Sequence, residues 1–476
     1  QLGVSFKKEL HRVIFHGVLH LCGYLDNKPA FKQKMRELED FYLSQYFRNQ
    51  YDKALKNYPF IDSRVQITRI EVWVTNKQNR ITTTNNNMRN IVALQDLGEA
   101  RLTDYYTNSL MADNRVVANL SPLGTFFLNP TDSPSDNSNN TYDPDLIGQT
   151  GGLLNTGIRE IATTDSGFNN AVTVDEGTDY AKLENARKLL PNEFTFHPQL
   201  GYISLQQRLA NDEVLAVAYQ YTIGDQVYQV GEFGNDGVEA TTVDAAGIPS
   251  TQSLVLKMLK SSLTNVQKPI WNLMMKNVYQ LQGAYQLEKE GFKFNIMYTD
   301  PSPLNYITQA GTTPLPDDVK ETPLLRVFNV DRLNYNNDPQ NGGDGFFDFI
   351  PGLTIDQQNG RILFTTVEPF GRHLFEKLSN SNTDNYYGDP TNSADFNENQ
   401  KKYVFRTLYT STQAAALQES EKNKFQLKGK YKSSSGDGIP LGAINVPRGS
   451  VRVSAGGRML VEGVDYTVNY QAGRVQ

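Results

Sequence analysis

The stretch RVQITRIEVWVTN, residues 64–76, has the residue pattern that decides the fold class of most of the chain. Its apolar residues recur at short, mostly two-residue spacing, at Val65, Ile67, Ile70, Val72 and Val74. β-Branched side chains at this spacing favour a strand over a helix. We therefore expect a mainly β fold with minor helices over most of the chain.

Short alternating runs of the same kind continue towards the C-terminus. GFKFNIMY (291–298) and NKFQLKGKYK (423–432) each place aromatic or aliphatic residues on one face, and in the second run lysine and glutamine lie near the other. GSVRVSAGGRMLVEGVDYTVNY (449–470) predicts a meander of short strands. The 25 tyrosines and 24 phenylalanines are typical of β-rich envelope proteins. In this later part of the chain the expected helices are Ala181–Leu190, Leu254–Leu263 and Ile270–Val278.

Three polar stretches predict unstructured loops: 77–87, 129–145 and 379–400. They are rich in Asn, Asp, Thr and Ser and contain few large apolar groups. Such segments cannot offset the entropy of ordering by burying apolar surface.

Four stretches predict an internal repeat of hairpins. They are FTFHPQLGYISL (194–205), FDFIPGLTIDQQNGRILF (347–364), LVEGVDYTVNYQAGRV (460–475) and, more loosely, LLRVFNVDRLNYNN (324–337). In the first three a glycine, Gly201, Gly360 or Gly473, precedes an apolar alternation, where it can supply positive φ in a tight turn. Short-strand sheets built of hairpin modules would follow, although any β-rich chain contains some hairpins by chance.

Composition excludes several classes of protein. The 476 residues carry a net charge of -6, and this mild acidity argues against a general nucleic-acid-binding face. The single cysteine, Cys22, excludes an internal disulfide framework. No apolar run is long enough for a transmembrane helix. The chain begins at Gln1, its first methionine is Met35, and it ends in a strand-like run, so we expect a piece of a longer protein.

The first 46 residues differ from the rest in composition and in the spacing of their apolar residues. They predict a helix, a loop and a second helix, which runs from Pro29 to about Tyr46. His16 and His20 are four residues apart, and on a helix they would share one face that can hold a zinc ion. Asp26 is the candidate third ligand. The alternative is a pair of helix histidines that binds no metal.

The sequence offers few other candidate binding or catalytic residues. The glycine-rich loop NDPQNGGDGFFD (337–348) offers the oxygen ligands Asp338, Asn341, Asp344 and Asp348, which suit calcium. Their order does not match an EF-hand, so a solvated turn is favoured. Three further residues are expected to be structural: His197, His373 and Glu368, the last at a strand end. The sequence contains no P-loop and no nucleophile elbow.

The run RVIFHGVLHLCGYLD (12–26), followed by MRELEDFYL, resembles the C-terminal motif of the YbeY family. That family comprises zinc-dependent endoribonucleases of ribosomal RNA maturation, whose motif HGxLHLxGYDH carries three histidine ligands. His16 and His20 match the first two, and Asp26 stands where the third histidine would be. The resemblance implies zinc at the N-terminal segment and covers only about residues 1–46.

From about residue 47 to the end the chain resembles an internal segment of the SprA (Sov) family. The resemblance rests on stretches such as NYPFIDSRVQITRIEVWVTN, LLPNEFTFHPQLGYISLQQRLANDEVLAVAYQYT, GDGFFDFIPGLTIDQQNGRILFTTVEPFG and SVRVSAGGRMLVEGVDYTVNYQAGRV. It implies a segment of a large outer-membrane β-barrel protein, the translocon of type 9 secretion and gliding motility. It also implies a PorV-like partner, a periplasmic plug and secreted cargo proteins, and it implies no catalytic residues and no cofactor.

Four segments follow from these patterns: a helical YbeY-like segment at 1–46, a β-rich segment at 47–235, a mixed segment with a hairpin repeat at 236–375, and a loop with a β-meander at 376–476. For the main part we expect a structural role at the outer membrane or periplasm, without nucleic acid. The alternative function is a zinc-dependent endoribonuclease. Because the two families belong to different compartments, we expect a join between unrelated segments near Tyr46–Gln50.

Overall fold

The computed structural model describes residues 40–77, 88–95, 97, 147–148, 154–168, 174–235, 241–243, 249–266, 268–281, 284–432, 439–441, 446–455, 458–471 and 473–475. The chain divides into two compact units, residues 1–34 and 35–476. The first unit lies outside the described residues, and all of the following concerns the second.

Strands outnumber helices among the described residues, and most of them are short. In chain order the strands are β1 Asp40–Tyr42, β2 Val65–Val74, β3 Met88–Leu94, β4 Tyr180–Lys188, β5 Phe194–His197, β6 Tyr202–Leu205, β7 Leu215–Ile223, β8 Gln226–Val230, β9 Thr241–Val243, β10 Pro249–Thr251, β11 Leu254–Lys260, β12 Val278–Gln280, β13 Lys293–Tyr298, β14 Ile355–Asp356, β15 Arg361–Leu363, β16 Phe425–Lys430, β17 Ile439–Pro440, β18 Ser454–Ala455, β19 Arg458–Met459, β20 Val468–Asn469 and β21 Arg474–Val475.

The helices are short, and the longest is the first. They are α1 Gln45–Leu55, α2 Leu324–Val327, α3 Leu374–Lys377, α4 Glu398–Tyr403, α5 Thr407–Thr410 and α6 Gln413–Gln418. Single 3₁₀ turns occur at Thr156–Arg159, Thr164–Gly167 and Pro269–Leu273, and a π turn at Pro369–His373. The prediction of a mainly β fold with minor helices is confirmed.

A closed five-stranded sheet forms the first half of the fold. Its strands follow the order β11-β3-β4-β2-β7, and β7 pairs back to β11. Only the β11–β3 pair is parallel, and β8 extends from β7 outside the ring. β2, the stretch RVQITRIEVWVTN of the sequence, pairs with β7 along its whole length. Its Trp73 is 1% exposed and belongs to the first of two hydrophobic cores.

Two helix predictions are wrong because these segments are strands of the ring. Ala181–Leu190 lies largely in β4, where pairing with β3 and β2 overrides the helix propensity of its Ala, Leu, Lys and Glu residues. Leu254–Leu263 contains β11, whose first six residues are buried without alternation. A strand covered on both faces has the same apolar run as a buried helix. Of Ile270–Val278 only a 3₁₀ turn is helical, and β12 begins at its end.

Three hairpins share one construction, which confirms the first three members of the predicted repeat. β5–β6, β14–β15 and β20–β21 each enclose a four-residue loop that ends in glycine. Gly201, Gly360 and Gly473 have φ of +64°, +65° and +64°. In each case the second strand also pairs with an earlier strand, β1, β12 or β17.

A hydrogen bond repeats in all three modules. The leucine after the earlier strand donates its N–H to the carbonyl oxygen of the hairpin glycine, at 2.9 Å for Leu43 and Gly201, 2.9 Å for Leu281 and Gly360, and 2.7 Å for Leu441 and Gly473. The fourth predicted member, 324–337, is not a hairpin, because it begins with the helix α2.

The same module corrects the predicted second N-terminal helix. Of Pro29–Tyr46 the structure describes residues 40–46, and Asp40–Tyr42 is the strand β1, paired with β6. The helix α1 begins only at Gln45 and continues to Leu55. Residues 40–55 therefore belong to the fold of the later chain.

The second core lies under the ribbon β13–β16 and the helices α2 to α6. β13 and β16 pair in register, with Ile296 opposite Leu427 and Tyr298 opposite Phe425, so the predicted faces are confirmed within the two strands. Tyr431, predicted to share the apolar face, follows β16 and is 39% exposed. Around them pack rings such as Phe328, Phe364 and Phe370.

The stretch 379–400 is not the unstructured loop that its composition predicts. Tyr386 and Phe396 are buried against Phe375. Asn397 and Gln400 form a capping box at the start of α4. The two buried aromatic side chains and the capping box of α4 thus hold this polar segment in an ordered conformation. Of the other two predicted loops, 129–145 lies outside the described residues, as does 77–87 except for Lys77.

Candidate functional site

The predicted zinc ligands His16, His20 and Asp26 lie outside the described residues, and the zinc site stays a prediction. Within the part of the chain that the structure describes, no group of three or more His, Cys, Asp and Glu side chains is arranged to hold a metal ion. No described helix is long and apolar enough to cross a membrane.

The glycine-rich loop 337–348 does not gather its aspartates around a common point. Asp348 is buried and points inward, where its Oδ2 accepts hydrogen bonds from the Tyr58 hydroxyl at 2.7 Å and the Arg332 N–H at 2.6 Å. Burial raises the pKa of Asp348 to about 6. Asp344 Oδ1 accepts from the N–H of Phe346, within its own turn. These contacts fasten the loop to Tyr58, and Asp348 is not the solvated residue that the sequence favoured.

The strongest candidate site among the described residues is a buried ion network at Glu368, at the start of the π turn. Its Oε1 accepts a hydrogen bond from Arg48 Nη2 at 2.8 Å, and its Oε2 accepts from the Tyr386 hydroxyl at 2.9 Å. The side chains of Arg48 and Glu368 are 11% and 10% exposed. Burial and the Glu368 carboxylate raise the pKa of Tyr386 well above its usual value, so the phenol stays protonated and donates.

Lys276 adds a cation to the same region. Burial lowers the pKa of its amine to about 7, and nearby Arg48 acts in the same direction. The Nζ donates to the carbonyl oxygens of Trp271 at 2.6 Å and Met274 at 3.3 Å. Both Glu368 oxygens and the Lys276 amine thus have protein partners, and the network joins α1 to residues 365–387.

Sequence reasoning missed this network for a physical reason. Arg48 and Glu368 are 320 positions apart, and Tyr386 lies 18 positions further on. No local spacing marks such a set, and the only available signal was an acidic residue inside the aromatic run VEPFG. The structure places Glu368 within the core, where the sequence predicted an ordinary strand end.

A recess of about 250 Å³ lies between α1, the start of β2 and the β5–β6 turn. Aromatic rings of Tyr46, Phe47 and Tyr51 form part of its wall, and Gln50 and Arg64 supply polar groups. Its volume lies below the usual range for drug-sized ligands, so it is a weak candidate for a cofactor site.

The two lone histidines in the described part are structural, as expected. His197 Nδ1 accepts from the N–H groups of Gln199 and Leu200 in the β5–β6 turn. Burial lowers the pKa of His197 to about 4, so the ring is neutral at pH 7. His373 bonds through Nε2 to the carbonyl oxygen of Val327 at 2.7 Å, and burial lowers its pKa as well.

Among the described residues, the Glu368 network and the Asp348 contacts join distant segments of a mainly β fold. Residues 31–222 match a family model described as motility related/secretion protein, the N-terminal family of SprA. This match covers β1 to β7 and includes four of the five strands of the closed sheet.

Residues 1–47 match a second family model, endoribonuclease YbeY. Similar proteins are endoribonuclease YbeY of Chlorobium luteolum, 48% identical over 48 residues, and of Salinibacter ruber, 50% identical over 44 residues. These alignments cover 10% and 9% of this chain and 35% and 28% of the relatives. That of Flavobacterium johnsoniae is 45% identical over 47 residues, which are 10% of this chain and 34% of the relative.

The chain thus spans only about a third of the length of the curated relatives that it matches. Both predicted resemblances are found. The secretion-related match covers residues 31–222 of the predicted 47–476, and it overlaps the endoribonuclease match at residues 31–47. Within that overlap the structure pairs β1 with β6, so residues 40–42 fold with the secretion-related part.

Proposed function

We propose that this chain is a structural segment of an outer-membrane protein translocon for type 9 secretion and gliding motility. The observation that carries this proposal is the match of residues 31–222 to the motility and secretion family. The fold is consistent with it, because buried polar groups such as Glu368, with Arg48 and Tyr386, join distant parts of the described chain.

The proposed location is the outer membrane and its periplasmic side. The proposed partners are other components of the secretion system, a PorV-like protein and a periplasmic plug, together with the cargo proteins. The main segment requires no cofactor and no nucleic acid under this proposal.

The test uses the chain in cells that secrete through this system. We expect the native chain to fractionate with the outer membrane and to be needed for export of cargo. Val217→Asp would place a charge in the closed sheet, where Val217 is 0% exposed, and should abolish export. Val227→Asp is the matched control, because Val227 is 49% exposed on β8. Export unaffected by loss of the chain would contradict the proposal.

A second candidate function is supported by the match of residues 1–47 to endoribonuclease YbeY. We propose His16, His20 and Asp26 as the zinc ligands in that case, since two imidazoles and a carboxylate form a suitable donor set with one position open. Bound zinc would supply an activated water for RNA cleavage.

This alternative is tested on the purified chain by metal analysis and by cleavage of single-stranded RNA. Under the alternative, His16→Ala should lose both zinc and cleavage, and His11→Ala, a histidine outside the motif, should keep both. A chain that binds no zinc would exclude this function and leave the first proposal untouched.

A further inference from the structure

The ribbon β13–β16 presents a basic face that the proposed scaffold role does not explain. Its inner face packs on the second core through residues such as Phe294 and Leu427. Its outer face carries three exposed lysines, Lys293, Lys428 and Lys430. We call these three, together with the exposed Lys432 that follows β16, the lysine face.

The register of the ribbon concentrates these charges. Lys293 stands directly opposite Lys430, and Lys428 lies two pairs further along, opposite Asn295 and on the same face. Like charges in directly opposed positions destabilise an antiparallel pair. The side chain of Lys432 lies next to Gly291 in the turn before β13, and it extends the row of lysines beyond the end of β16.

The lysine face lacks compensating charge in the described part of the chain. No ion pair joins any of its four lysines to a described residue, whereas the neighbouring Lys424 pairs with Glu421 at 3.9 Å. Glu288 and Glu290 lie in the adjacent turn, and neither forms an ion pair with the lysine face. In a chain with a net charge of -6, this is a local concentration of positive charge.

The ribbon also leaves main-chain groups available. β13 and β16 form a two-stranded sheet, and neither pairs along its other edge with a described strand. An unpaired strand edge can accept an added strand through main-chain hydrogen bonds. Lys428, Lys430 and Lys432 are two residues apart along the edge strand, a spacing of roughly 6.6 Å between successive side chains on one face.

We propose that the lysine face and the free edge of β16 bind an extended, acidic polypeptide segment of a partner protein. Carboxylates at alternate positions of an added strand have the same spacing as these lysines. The main-chain bonds would hold the segment, and the charges would select for alternating acidic residues. Lysines on an edge strand also discourage aggregation, and that role alone predicts no binding.

The test measures fluorescence anisotropy of a labelled ten-residue peptide of alternating Glu and Thr, added to the full chain. We expect salt-sensitive binding that is weakened about tenfold by Lys428→Glu with Lys430→Glu, as two lost exposed ion pairs would give. The matched control is Lys53→Glu with Lys56→Glu, two exposed lysines at the end of α1. It makes the same change in net charge and should leave binding nearly unchanged.

Several results would overturn the proposal. These are no binding by the native chain, equal weakening by both double variants, or equal binding of a peptide whose glutamates are grouped at one end. Binding of phosphatidylglycerol vesicles through the same lysines, without peptide binding, would assign the face to a membrane and also overturn it. If the glutamate variant fails to fold, Lys428→Gln with Lys430→Gln is judged by the same criteria.

Discussion

At the scale of single residues, the fold depends on buried charges that have partners far away in the chain. Arg48 and Glu368 are an example, since each is almost inaccessible to water and each is the other's counter-ion. A buried ion pair adds little net stability compared with apolar residues, but removal of one partner leaves an uncompensated charge. The arrangement is therefore sensitive to single substitutions.

We expect Arg48→Leu to lower the free energy of unfolding by about 3 kcal/mol, because Glu368 would lose its directly paired counter-ion within the core. Chemical denaturation followed by circular dichroism measures this. Lys377→Leu is the control, since Lys377 pairs with Asp318 at 2.8 Å on the surface. That change should cost no more than about 0.5 kcal/mol. Equal midpoints for the two variants would contradict a buried ion network.

The titration of His197 makes the stability of the protein fall as the pH falls. Its pKa is about 4 in the fold and about 6.5 in an unfolded chain, so the unfolded state binds the extra proton between these values. Its contribution to stability is complete above pH 6.5 and is lost as pH falls towards 4. Asp348, whose raised pKa acts in the opposite direction over an overlapping range, partly masks this in the native protein.

A difference between variants isolates the His197 effect. His197→Asn keeps an acceptor for the turn and removes the titration. We expect the stability of the native protein relative to this variant to rise by about 2 kcal/mol from pH 4 to pH 7, after allowance for the partial exposure of the ring. Urea titrations at four pH values measure it. A constant difference would show that the histidine titrates alike in both states.

At the scale of elements, the repeated hairpin was predictable and its third strand was not. Glycine at the end of a short polar loop marks Gly201, Gly360 and Gly473 in the sequence itself. The pairing of β1 with β6 joins residues more than 150 positions apart, and no local pattern reports it. The same holds for β4 and β11, whose composition favours helices and whose strand state depends on neighbours in the closed sheet.

Gly201 tests the hairpin module. An alanine there would adopt positive φ, and its Cβ would overlap the Phe47 ring. Gly224, in the turn between β7 and β8, also has positive φ but has no neighbour within 4 Å. We expect Gly224→Ala to cost about 1 kcal/mol and Gly201→Ala to cost about 1–3 kcal/mol more. Equal losses in denaturation experiments would mean that Phe47 moves aside freely.

At the scale of the whole molecule, buried polar contacts tie the two cores together. The Tyr51 hydroxyl donates to the Phe364 carbonyl oxygen, and the Tyr58 hydroxyl donates to Asp348. Arg361 donates to Asp40 across the same boundary. Unfolding of one core alone would leave these partners unpaired in the other, so the described part of residues 35–476 should unfold as one cooperative unit.

The two tryptophans of the chain can report on this cooperativity, because they lie in different surroundings. Trp73 is buried in the closed sheet, and the Trp271 ring donates its N–H to the carbonyl oxygen of Tyr409, a residue of the second core. Trp73→Phe leaves only Trp271 fluorescent, and Trp271→Phe leaves only Trp73. In each variant we expect the fluorescence and circular dichroism transitions in urea to share one midpoint.

Because Trp271→Phe also removes a hydrogen bond worth about 1 kcal/mol, each variant is compared with its own dichroism and not with the other variant. A Trp271 transition at lower urea than the dichroism of the same variant would mean that the contact between Trp271 and Tyr409 of the second core is lost before the rest unfolds, and that the links across the boundary contribute little.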